Sequence, residues 1–218
     1  MAVTLSTLRD RVRAQVGETT ATYFTTAQIN DWLNEGQQVL SLRLPDDCLT
    51  QLTKISTTAF HTDGTIHLYD HATHAYEITD FLRLKAVRVN YGSVLIMATF
   101  VDPADGLQRH GAYASESAAE EDPIAFIANR DLHVLPTGFT ANEVFYIASP
   151  VDMDASTNFA LDDEYAFLAV DWALYRAFER DRSFTASTEH SRVFEAAMKN
   201  IWSTHFRSHR QEERTKRT

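Results

Sequence analysis

The segment "YFTTAQINDWLNEGQQVLSLRLP", Tyr23 to Pro45, marks its own start and stop, and it constrains the fold more than any other stretch. Thr25 is placed to cap a helix with its hydroxyl, while Gln28 reaches back to the N–H of the cap. Phe24 and Ile29 occupy the apolar positions flanking that box. Ile29, Trp32, Leu33, Gly36, Leu40 and Leu44 then recur at intervals of three and four, which lines one side of an α-helix. Pro45 ends the helix, because its ring lacks an N–H and clashes with the preceding turn. Gly36 costs about 1 kcal/mol relative to alanine in a helix interior. Close approach of another backbone would offset that cost, with Trp32 filling the space beside it. The residues Phe24, Ile29, Trp32, Leu33, Gly36 and Leu40 are therefore read as a packing surface. Its partner is either a second helix of the same chain or a neighbouring subunit.

At 218 residues and 44% hydrophobic content, the chain is long enough for one large domain or a domain with an insertion. Cys48 is the sole cysteine, which excludes an internal disulfide and implies no oxidising compartment. The opening "MAVTLSTLRDRVRAQ" has no apolar core of a secretory signal. No run of 18 apolar residues occurs, so a soluble chain that does not span a membrane is expected. Charge is unevenly distributed. Arg207 to Thr218 carries five Lys/Arg against Glu212 and Glu213, a net of +3, within a chain whose net charge is −10. The rest of the chain is correspondingly acidic, a poor match for gripping DNA phosphates. The basic terminus reads as a reaching arm or as a solubilising tail.

Along the chain, helical patterns give way to strand patterns and then return. Leu5, Leu8, Val12 and Val16 sit at helical spacing, with Gly17 placed to close the helix in a left-handed conformation. From about Leu49 the period changes: "QLTKISTTAF" alternates, "TDGTIHLYD" reads as turn and strand, and "FLRLKAVRVNYGSVLIMATF" reads as two strands joined near Asn90-Tyr91-Gly92, with a bulge among Leu82 to Val89. "DPIAFIANRDLHVLP" has the form of a hairpin turning at Asn129-Arg130-Asp131, and "NEVFYIASP" adds a strand. Between them "VDPADGLQRHGAYASESAAEED" predicts an exposed loop with a short helical piece. Helical spacing resumes in "LDDEYAFLAVDWALYRAFERD", with the stripe Leu168, Trp172, Tyr175 and Phe178. Asp162, Asp163 and Glu164 complement the positive end of its dipole, and Arg176, Arg180 and Arg182 lie at the other end. A last helix carries Val193, Phe194, Ala197, Met198, Ile201 and Trp202 through Phe206 into the basic terminus.

Four amphipathic helices bracketing a β-rich segment predict an α+β fold. The helix pairs would form one antiparallel bundle, because none buries its stripe alone, with an antiparallel β domain inserted. The predicted parts are 1–48 and 154–206 for the bundle, 49–153 for the β insertion and 207–218 for the basic tail. Trp172 joins the packing surface of the opening segment, which places Trp32 and Gly36 against the C-terminal pair.

The common signatures of nucleotide binding, zinc proteolysis and hydrolase chemistry are missing. One constellation has metal-ligand chemistry: His61, His67, Asp70, His71 and His74. Its strand-and-turn context does not make such spacings converge, so the plain expectation is solvated turn histidines. "DPADG", Asp102 to Gly106, resembles half a calcium loop but lacks the closing acidic ligands and reads as a turn. Asp162, Asp163 and Glu164 are accounted for by a helix N-terminus. No metal, cofactor or catalytic residue is assigned.

The order of these features resembles the head–tail connector (adaptor, or head-completion) proteins of tailed bacteriophages. The resemblance is carried by "LSTLRDRVRAQVGE", "FTTAQINDWLNEGQQVLSLRL", "DFLRLKAVRVNYGSVLIM" and "LDDEYAFLAVDWALYRAFERD", and together with the helix–β–helix order it covers nearly the whole chain. It is a likeness of pattern and order, and the β insertion is larger than in the all-helical members. The resemblance implies a non-enzymatic virion component, made in the host bacterial cytoplasm, that forms a ring, usually of twelve copies, at the head–tail interface. Such a ring docks on the portal protein, extends the DNA channel without sequence-specific binding, and offers a surface to the next tail protein, a nozzle or tail-tube or completion protein. It also implies portal attachment through the C-terminal segment, here Trp202, Phe206, Arg207, Arg210, Arg214, Lys216 and Arg217, with arginine forks suited to acidic surface. Two other readings stay open: a wall-degrading or metal-dependent enzyme using the His61–His74 cluster or the carboxylates near Asp162, and a monomeric tail-completion module.

Overall fold

The computed structural model describes residues 3–18, 23–68, 77–91, 94–107, 122–137, 139 and 142–215, with side chains of the last helix described through His205. The chain forms two compact units, one of Met1–Leu52 with Ser149–Thr218 and one of Thr53–Ala148.

The first unit is helical: α1 (Leu5–Val16), α2 (Thr26–Arg43), α3 (Ala166–Arg180) and α4 (Phe184–Thr215). The local signals act as their chemistry dictates. Thr25 and Gln28 form the reciprocal capping box, and Gly17 closes α1 at φ 77° with its N–H on the Arg13 carbonyl. α2 stops at Arg43, and the Leu44 N–H still reaches the Leu40 carbonyl before Pro45. α3 packs against α1, α2 and α4, and α1 against α2. The segment returning from the β unit is clamped onto α2 by two polar side chains. Buried Gln37 donates to the Val151 carbonyl at 2.9 Å and accepts from the Ala160 N–H at 2.8 Å. Asn34 exchanges hydrogen bonds with both backbone groups of Met153. A fully buried amide is tolerable because both of its ends are paired.

The second unit contains two four-stranded sheets. The strands are β1 (Thr53–Ser56), β2 (Thr65–His67), β3 (Phe81–Tyr91), β4 (Val94–Met97), β5 (Thr99–Phe100), β6 (Ile124–Ala128), β7 (Asp131–Leu135) and β8 (Asn142–Ala148). Their orders are β1-β8-β3-β4 and β2-β7-β6-β5. Ile66, Ala125, Leu132 and Val134 of one sheet share a buried core with Val87, Val89, Val144 and Ala148 of the other. The fold is α+β with antiparallel pairing throughout, except that β5 runs parallel to β6 over two residues. Long β3 carries register shifts at Phe81/Arg83 and Leu84/Ala86, the irregularity its mixed apolar pattern predicts. The β6–β7 hairpin turns through Asn129 and Arg130, both at positive φ (53° and 73°), which matches the twist of a two-residue hairpin.

Three expectations are revised. α4 begins at Phe184, well before the apolar spacing announces it at Val193. Its first turns present few apolar side chains inward, with Ser187 buried instead and bonded to the Tyr175 carbonyl at 3.3 Å. Asp163 and Glu164 lie in a short 3-10 turn, Asp163–Tyr165, ahead of α3, and Asp162 makes no side-chain cap. Asp162 instead accepts from Gln51, and Asp163 accepts from the Val3 N–H at 3.2 Å. Finally, the most buried face of α3 is small rather than aromatic: Ala166, Ala169, Ala173 and Ala177 recur at spacings of three and four with at most 1% exposure.

Candidate functional site

α2 and α3 meet at Gly36. A β-carbon there would stand 3.2 Å from the Ala169 Cα, the Ala169 carbonyl oxygen and the Trp172 Cβ. Leu33 and Leu40, one turn to either side, are fully buried, as is Ile29. Phe24 is buried and meets Trp32 edge-on at 5.4 Å. The aromatic stripe of α3 serves α4: Trp172 packs on Phe194 at 5.3 Å, and Phe178 stacks on His190. Thus α3 meets α2 at Ala169 and the Trp172 Cβ, while its aromatic rings pack on α4. The Ala-x-x-Ala spacing of α3 is visible in "AFLAVDWALYRA" but disappears among larger residues when only bulky side chains are counted.

α4 is fixed to the rest of its unit by a series of polar contacts. His190 lies 3.4 Å from Asp171 of α3. Burial raises the Asp171 carboxyl above its ordinary range, and the hydrogen bond and charge of His190 oppose that rise. Glu195 grips Arg43 with two contacts of 2.6 Å. That hydrogen bond from Arg43 holds the Glu195 carboxyl below its ordinary value, outweighing its slight burial. The Arg43 guanidinium also sits over the Phe194 ring at 5.5 Å. Trp202 then donates its indole N–H to the Arg43 carbonyl at 2.9 Å, satisfying one of the orphan carbonyls at the end of α2. His205 approaches Asp47 at 3.6 Å.

Beside this seam lies a cleft of about 380 Å³, lined by Cys48, Glu164, Tyr165, Phe167, Ile201 and His205 among others. Burial raises the Tyr165 hydroxyl pKa, and its hydrogen bonds with Cys48 and Glu164 raise it further. Phe167 is half-exposed at the cleft.

Past His205 the helix continues through Phe206, Arg207, Arg210 and Arg214 to Thr215, so most of the basic segment is helical backbone. Lys216 and Arg217 lie outside the described residues.

Within the histidine constellation His67 departs from a solvated turn residue, whereas His61 is exposed beside a turn. His67 is in β2, largely buried, with Nδ1 2.8 Å from Asp131. His61 lies 3.0 Å from Glu77, and the two imidazoles are 5.0 Å apart. Glu77 also accepts the His67 backbone N–H at 2.7 Å, so these side chains tie strand to loop. Asp70, His71 and His74 lie outside the described residues. Among the described residues, no group of three or more His, Cys, Asp or Glu side chains is placed to hold a metal ion, and no helix is long and apolar enough to cross a membrane. The "DPADG" stretch is a helix start: Asp102 accepts the Ala104 N–H at 2.8 Å, and residues 103–107 are helical.

No curated protein matches the chain. The family model described as SU10 adaptor protein matches residues 3–217, taking in both units and nearly every residue from α1 to the basic terminus. With its helix–β–helix order and anchored C-terminal helix, the chain belongs to the SU10 adaptor protein family.

Proposed function

We propose that this phage structural adaptor assembles as a homo-oligomeric ring, dodecameric in number, that docks on the portal, continues the DNA channel and presents the attachment surface for the next tail protein. Family membership suggests a non-enzymatic virion component that meets portal and tail proteins. In this reading the four helices act as one antiparallel bundle, supported by the contacts of α3 with α1, α2 and α4. The portal is engaged by the end of α4. The observation that carries this assignment is the continuity of α4. The helix is anchored at Trp202 on the Arg43 carbonyl and then runs unbroken to Thr215. A helix rising about 1.5 Å per residue thereby carries Arg207, Arg210 and Arg214 beyond the anchor. Phe206, Lys216 and Arg217 extend the same attachment segment, whose arginines suit acidic portal surface. Trp202 holds the base of the arm. The acidic remainder of the chain, within a net charge of −10, suits a conduit along which duplex slides without sticking.

The test is mass photometry of the protein alone and then with the portal of the same phage at moderate salt. The portal peak should gain the mass of about twelve subunits, on the ring size proposed above, and truncation after Phe206 should remove the gain. A portal peak that stays put with the intact protein would overturn portal attachment.

A further inference from the structure

The β1-β8-β3-β4 sheet ends in two strands, β1 and β4, that each have a strand neighbour on one side only among the described residues. We propose that these edges are complementary, so that β4 of one copy adds to β1 of the next and the sheet continues from subunit to subunit. This rests on the ring reading above and assigns it an interface.

Four observations carry it. First, β4 lacks what protects a solitary edge. Apart from keeping the strand short, natural edges are blunted by charges, proline or bulges, and four-residue β4 carries neither charge nor proline: it reads Val-Leu-Ile-Met. Its Val94, Leu95 and Met97 side chains are 62%, 42% and 55% exposed. Second, the directions fit. Each neighbouring pair in this sheet is antiparallel, so with four strands β1 and β4 run in opposite directions. A head-to-tail repeat therefore makes a new antiparallel ladder, the more stable kind per residue.

Third, the side chains fall on the correct face. Leu95 is opposite Asn90, and Ile55 is opposite Phe145. Arg88 is paired with Glu143, and two-residue steps along β3 and β8 connect the two pairs, which puts Leu95 and Ile55 on one side of the sheet. Strands of four residues each, laid fully alongside, bring Leu95 directly opposite Ile55. Ile55 is itself 55% exposed, so each covers the other. Fourth, the charge on β1 is already engaged: Lys54 pairs with Asp80 of its own chain, which leaves the apolar match unopposed. The contact is heterologous, using different surfaces on the two partners, the class of contact that gives a ring when its rotation closes and a filament when it does not.

The experiment uses the full chain with Cys48→Ser, adding Ile55→Cys and Leu95→Cys together or singly. Both positions are exposed, and circular dichroism of the reduced variants confirms folding. Mild oxidation in the presence of portal should give the double variant a reducible ladder of covalent multimers. Each single variant should stay uncross-linked. A second series avoids cysteine: Leu95→Lys should weaken assembly on the portal at least tenfold, and Leu95→Lys with Ile55→Glu should restore it. Dimers from Leu95→Cys alone would mean β4 pairs with β4, overturning the proposal. A normal ring on the portal with neither ladder nor charge rescue would refute the edge pairing while the ring reading stands. Failure of the unaltered protein to multimerise on the portal would remove the ring reading and the edge pairing with it.

Discussion

The Ala169 Cα and carbonyl oxygen lie 3.2 Å from the place a β-carbon on Gly36 would occupy, so α2 and α3 meet backbone against backbone. Gly36 in α2 and Ala169 in α3 are one device contributed by segments far apart in the chain. What looks like a weak spot in the helix is the condition for its closest contact.

Substitution at Gly36 tests this. Gly36→Ala gains about 1 kcal/mol of helix propensity and loses a similar amount by pressing on main-chain atoms that cannot rotate away, for a net change within about 1 kcal/mol. Gly36→Leu drives further carbons into the α3 backbone and should cost about 3 kcal/mol, the upper range of overpacking. Urea denaturation of the two variants measures both numbers. A Gly36→Leu protein as stable as the parent would rule out the close approach.

Trp202 and Arg43 give a second prediction. Trp202→Phe keeps most of the ring volume but removes the indole donor to the Arg43 carbonyl, and should cost about 1 kcal/mol. Trp202→Ala should cost about 3 kcal/mol by adding a cavity. If Trp202 holds the arm and the residues beyond it bind portal, Trp202→Phe leaves portal binding within about tenfold of the parent, because that cost is under 1.4 kcal/mol. Equal loss of binding in Trp202→Phe and in the truncation after Phe206 would place the portal contact on the indole itself.

Alkaline titration probes the β unit. Burial, then the hydrogen bond to Asp80 at 2.8 Å and its negative charge, push the Tyr146 hydroxyl up to about 12. Because the folded value is raised, the stability this group contributes is fully present below the ordinary tyrosine value of about 10 and is lost as pH rises through about 12. The parent should therefore lose stability relative to Tyr146→Phe between those values, while the difference between them stays constant from pH 7 to 9. Thermal unfolding at pH 8 and pH 11 is the measurement. A difference that does not change between those two values would contradict the buried hydroxyl–carboxylate contact.

Features governed by neighbours in sequence are legible from the residues alone. The Thr25–Gln28 box, the left-handed Gly17, the stop before Pro45 and the turn at Asn129-Arg130 depend on interactions within a few residues, and those residue types encode them directly. The resemblance to phage adaptors is legible as well, since it lies in the order of such elements.

Tertiary structure decided the rest, because pairing across more than a hundred residues leaves no local trace. Gln37 and Asn34 read as ordinary polar positions until the returning segment presents backbone groups for them to satisfy. His67 became a buried strand residue because β7 brings Asp131 beside it. Asp162 and Asp163 were drawn from capping α3 to Gln51 and Val3, partners that come near only in the folded unit. Helix spacing identifies which residues share a face, but only packing chooses the face's partner. That is why Ala169 of α3, inconspicuous in sequence, proved to be the residue whose backbone receives Gly36.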